Sequence, residues 1–118
     1  MKDNPIKSKS FQFALHVMEQ YKKLVAQKEY VLSKQLLRSG TSIGANVQEA
    51  LAVQSRPDFL HKMSIASKEA RETLYWPELL KASKWFETDF EGSLKLAHEL
   101  VKLLTAIVKS TGSKTIKN

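Results

Sequence analysis

Residues 32–51, LSKQLLRSGTSIGANVQEAL, decide the fold of this chain. Leu32, Leu36, Ile43, Val47 and Ala50 are separated by steps built from threes and fours, the spacing that stacks side chains on one face of an α-helix. A neighbouring stripe of Leu37, Gly40, Gly44, Val47 and Leu51 widens that face. The pattern predicts a helix from Tyr30 or Ser33 to Gln54. Glycine inside a helix costs about 1 kcal/mol relative to alanine, so Gly40 and Gly44 need a compensating contact. Close approach of another helix backbone supplies one, which makes the pair a helix-packing motif.

Three further amphipathic segments surround this one. Ahead of it, Ser8 or Ser10 can cap a helix that carries Phe11, Ala14 or Leu15, Met18 and Val25 on one stripe. A second stripe, Phe13, Val17, Tyr21 and Leu24, extends the arc expected to be buried. Behind it, Ser55-Arg56-Pro57-Asp58 reads as a turn with Pro57 in the first turn of a third helix. That helix should bury Phe59, Met63, Ala66, Ala70, Thr73 or Leu74, and Leu80, with Pro77 kinking or splitting it after Trp76. A fourth helix, starting near Thr88 or Asp89, repeats Phe90, Leu94, Ala97, Val101, Leu104 and Val108. It also carries Leu96, Leu100, Leu103 and Ile107, about 100° around its axis from the first set. One bundle core does not readily cover so wide an arc, so a subunit interface is expected to cover part of it. Beyond Ser110 the chain is expected to fray. These segments predict an all-α, antiparallel four-helix bundle. It forms a single domain over residues 1–118, with a core of about 8–108 between flexible basic tails.

Composition narrows the function. With no cysteine, the chain has no disulfide, thiolate zinc site or cysteine nucleophile, which points to the cytoplasm. No apolar run reaches the ~20 residues that span a bilayer, and the first residues lack the apolar stretch of a secretory signal, so no membrane role is expected. The net charge of +7 suits an acidic partner such as nucleic acid. Residues 1–10 contribute +2, residues 11–40 +3, residues 41–108 −1 and residues 109–118 +3. The excess therefore lies partly in the tails, where solubility alone explains it. Within the structured region, Lys22, Lys23, Lys28, Lys34 and Arg38 are the candidate nucleic-acid-binding residues, and Tyr30 can stack on a base.

Catalytic and metal chemistry find little support. A dinuclear carboxylate site needs glutamates from two helices and Glu-x-x-His pairs from two more. Asp58-x-x-His61 is the nearest approach, and Asp58 sits where a helix first turn favours it. His16 and His98 have no acidic residue at matching spacing and are expected on solvated or boundary faces. Gly40-Thr41-Ser42-Ile43-Gly44 lacks the preceding strand and following lysine of a phosphate loop. Arg38, Asn46 and Glu49 on the second helix, with Lys68, Glu69 and Glu72 on the third, form a candidate structural polar network fixing helix register. No catalytic residue, metal or cofactor is assigned.

Two stretches resemble a known family. Residues 32–47 with Glu49, and Phe59-Leu60-x-Lys62-Met63-Ser64-Ile65-Ala66-x-Lys68-Glu69-Ala70-x-Glu72-Thr73-x-Tyr75-Trp76, resemble bacterial four-helix bundle proteins. That family includes proteins encoded by intervening sequences within 23S ribosomal RNA genes. The resemblance implies an up-down-up-down bundle assembled as a ring-like homo-oligomer, a pentamer. It also implies distant similarity to the basic accessory proteins of diversity-generating retroelements, which bind a reverse transcriptase and nucleic acid. Pro77 departs from the family, which usually has an apolar residue such as leucine there, and Ala50 stands where glycine is common. The resulting expectation is a non-enzymatic homo-oligomer that binds RNA or another nucleic acid through basic surfaces. The alternative is an adaptor ring docking a partner protein, with no direct nucleic-acid role.

Overall fold

The computed structural model describes residues 4–117 and contains four helices, with no strand among the described residues: α1 (Pro5–Ala26), α2 (Leu32–Ala52), α3 (Arg56–Ser83) and α4 (Glu91–Lys117). Cross-helix contacts fix the topology. Lys62 of α3 reaches Glu49 of α2, while Glu69 and Glu72 reach back to Arg38, so α2 and α3 run antiparallel. Lys9–Glu99 and His16–Ser93 order α1 against α4 in the same sense, and Arg71–Thr105 and Lys81–Glu91 do so for α3 and α4. With Val17 and Ser10 packed on Gly40 and Gly44, α1 and α2 complete an up-down-up-down bundle.

The core contains Phe13, Val17 and Leu24 of α1, Leu36, Ile43 and Val47 of α2, Met63, Ala66, Ala70 and Leu80 of α3, Phe90 just ahead of α4, and Ala97, Leu100 and Leu104 of α4. The predicted faces of α2, α3 and α4 are largely those buried. Of the two α1 stripes, only the second enters the core. Phe11, Leu15 and Met18 face outward at 56%, 45% and 52% exposure. Of the second α4 stripe, Leu100 is buried in the chain's own core, while Leu96, Leu103 and Ile107 are packed against it and only partly buried.

Helix boundaries correct the sequence reading in three places. α1 starts at Pro5, earlier than Ser8 or Ser10, because Asn4 is the N-cap and accepts the Lys7 N–H at 3.4 Å while proline occupies the first turn. Ser8 and Ser10 instead return their hydroxyls to the carbonyls of Pro5 and Lys7. α3 runs unbroken through Pro77, whose ring is fully buried. The apolar contact so gained offsets the missing N–H. α4 continues past Ser110 to Lys117, with Thr111 lining a groove beside Val53 and Phe59. Of the expected basic tails, Lys2 lies outside the described residues, as do the side chains of Lys114 and Lys117. No helix among the described residues is long and apolar enough to cross a membrane.

Candidate nucleic-acid interface

The α1–α2 turn and the α3–α4 loop meet at one end of the bundle, and the local chemistry of each is specific. At the end of α1 the Glu29 N–H bonds to the Leu24 carbonyl at 2.9 Å and the Lys28 N–H to the Val25 carbonyl at 2.9 Å. These are the paired bonds of a Schellman ending, with Lys28 left-handed at φ 66° where glycine is usual. Glu29 then caps α2. Its carboxylate accepts the N–H groups of Val31 at 3.2 Å, Leu32 at 2.9 Å and Ser33 at 2.6 Å, and its carbonyl takes the Ser33 hydroxyl at 2.7 Å. Burial pushes the Glu29 carboxyl up, but the N–H bonds from Leu32, Ser33 and Val31 outweigh it and hold the group below the ordinary carboxylate value.

α3 ends in a similar way, with Lys84 left-handed at φ 58°. The two loops are then joined by Gln27. Its side-chain amide donates to the Thr88 hydroxyl at 2.6 Å and accepts the Glu87 N–H at 3.1 Å. This clamp sets Lys28 and Tyr30 on the same end as Lys84 and Trp85.

Four of the five candidate basic residues gather here. Lys22 and Lys23 lie near the end of α1, Lys28 in the turn and Lys34 in the first turn of α2; all are exposed and none has an ion pair among the described residues. Arg38 is committed elsewhere, to Glu69 at 3.4 Å and to Glu72, whose carboxylate also accepts the Trp76 indole N–H at 3.4 Å. It therefore belongs with the polar network between α2 and α3. Within that network Glu49 pairs with Lys62, a residue outside the candidate set, at 2.7 Å, and Asn46 turns back to the Ser42 carbonyl at 2.9 Å. Lys68 is exposed, with no ion pair among the described residues.

A second polar cluster, absent from the sequence reading, ties α1 to α4. Gln20 donates its amide to the Asp89 carbonyl at 3.2 Å, which leaves its side-chain oxygen to accept the Ser93 hydroxyl. Ser93 has one proton and gives it to Gln20, so His16 Nε2, 3.0 Å away, must be the donor to Ser93 Oγ. A serine activated for attack needs the opposite direction, with histidine accepting. This relay instead satisfies a fully buried hydroxyl and fixes the register of α1 on α4.

Lys84, Trp85 and the cap Glu29 are the residues of this end that sequence patterning missed. A left-handed lysine and an exposed tryptophan leave no periodic signal, and a helix cap three residues upstream of the first helical residue falls outside the usual capping pattern.

Comparison with known proteins places this geometry in context. The family model described as 23S rRNA-intervening sequence protein matches residues 2–106. The solved structure of a protein with unknown function from the S23 ribosomal protein family of Bacteroides thetaiotaomicron is 50% identical to this chain. It superposes with a TM-score of 0.83, covering 88% of this chain and 98% of the other. No curated protein matches the chain.

Proposed function

We propose that this chain, which belongs to the 23S rRNA-intervening sequence protein family, is a non-enzymatic homo-oligomer that binds RNA through the lysine-bearing end of its bundle. One observation carries the reading. Lys22, Lys23, Lys28, Lys34 and Lys84 are exposed at one end, and none is neutralised by an ion pair among the described residues. Ammonium groups left free in this way bind phosphates and release condensed counterions, which makes affinity fall with salt. Glu29, next to Lys28, is turned onto the α2 backbone, while Glu19 stands exposed about one turn before Lys22 and Lys23.

Titrating a fluorescent RNA with the protein at rising KCl tests this. The apparent Kd should rise with salt at a log–log slope of about 0.7 per phosphate contacted by a single strand. Negligible binding at low salt would overturn the reading. Recovery of a protein partner from extract that is indifferent to nuclease would favour the adaptor instead.

Self-association rests on a separate observation, the outward stripe of Phe11, Leu15 and Met18. Beside it Phe11 and Ala14 border a groove lined by Gly44 and Ala45, residues small enough to let another helix approach. The proposed ring places the α1 stripe in a subunit contact. Light scattering should give a mass about five times the 13.4 kDa of the chain, and Leu15→Glu should reduce it to one copy. A monomeric wild-type protein would contradict this.

A further inference from the structure

We infer that the loop end of the bundle is built to take single-stranded RNA, with Trp85 and Tyr30 as the surfaces on which unpaired bases stack. The inference rests on the RNA reading above and adds to it the class of RNA. Trp85 is 79% exposed and Tyr30 53%. Large aromatic rings left in water are informative, because burying them is so favourable elsewhere. The Trp85 backbone N–H donates to the Ser83 hydroxyl oxygen at 3.2 Å, and the Gln27 clamp fixes the loop to the turn that carries Tyr30. The rings therefore stand on anchored backbone.

Charge and backbone agree with this assignment. Among the described residues, the non-glycine positions with positive φ are Lys28 and Lys84, and both lie at this end. Each holds a lysine where glycine would be easier, and local rules broken in this way collect at functional sites. The acidic groups nearby are mostly engaged. Asp89 accepts the Glu91 N–H at 2.9 Å, Glu91 pairs with Lys81, and Glu29 caps α2, while Glu87 and, about one turn before Lys22, Glu19 are exposed. Glu87 disfavours a phosphate beside Trp85, so the indole meets a base while the lysines meet the backbone. A duplex keeps its base faces stacked internally and offers these rings nothing.

The test compares a fluorescent oligouridylate of about 12 nucleotides with a hairpin duplex of similar charge, using the full chain at low salt. The single strand should bind more tightly and quench Trp85 in a Trp76→Phe background. Trp85→Ala and Tyr30→Ala should each weaken single-strand binding about 5- to 100-fold, while Trp85→Phe retains most of it. Circular dichroism confirms that each variant folds. Unchanged single-strand affinity in both alanine variants, alongside loss on Lys22→Glu and Lys34→Glu, overturns this inference and leaves the RNA reading standing. No binding of either RNA overturns both. A drop in oligomer mass on Trp85→Ala would assign the indole to a subunit contact and overturn the inference.

Discussion

The two glycines of α2 look equivalent in the sequence and are not. A Cβ on Gly40 would lie 2.8 Å and 2.9 Å from the two methyls of Val17, a fully buried β-branched side chain with no room to turn. On Gly44 it would lie 3.4 Å from the Ser10 carbonyl oxygen, an ordinary contact. Gly40→Ala should therefore destabilise the fold by about 1–3 kcal/mol. Gly44→Ala should be neutral or gain up to about 1 kcal/mol from helix propensity. Urea unfolding of both variants checks the contrast. Close packing at these glycines was legible in the sequence; which one tolerates a methyl was not, since it depends on the residue across the interface. Lys28 offers a second test at this scale. Lys28→Gly should relieve about 1 kcal/mol of left-handed strain while weakening RNA binding, so that stability and affinity move in opposite directions.

At the scale of the helix, α1 carries two apolar stripes that the sequence offers alike to the core, and the bundle buries one of them. Its buried line is Ile6, Ser10, Phe13, Val17, Gln20 and Leu24, a regular helical face interrupted by two polar residues. Ser10 closes on its own helix and Gln20 is satisfied by Ser93 and Asp89, so both are buried with partners. Phe11, Leu15 and Met18 make an equally apolar line, and only the neighbouring helices distinguish the two. The start of α2 makes a pH prediction. Glu29 is held below the usual carboxylate value, so its stabilisation is complete above the unfolded value of about 4.3 and is lost as pH falls through the lower folded value. Glu29→Gln should cost about 1 kcal/mol at neutral pH. The gap to wild type should close in acid, as read by denaturant unfolding across pH.

For the whole molecule, the bundle divides its tasks by place. The α2–α3 ion pairs and the His16–Ser93–Gln20 relay set register, α1 carries an exposed apolar stripe, and the loop end presents lysines and aromatic rings. The fold and the lysine-rich region were legible from periodicity and charge. The convergence of two distant loops was not, because Gln27 meets Glu87 and Thr88 across a separation that no local pattern records. The central claim is that RNA is bound at this end and not by net charge alone. The direct measurement compares RNA affinity in two variants of equal charge, Lys22→Glu/Lys23→Glu/Lys28→Glu/Lys34→Glu and Lys7→Glu/Arg56→Glu/Lys102→Glu/Lys109→Glu, each checked for folding. Abolished binding in the first and largely retained binding in the second is the predicted result; equal losses in both would contradict it.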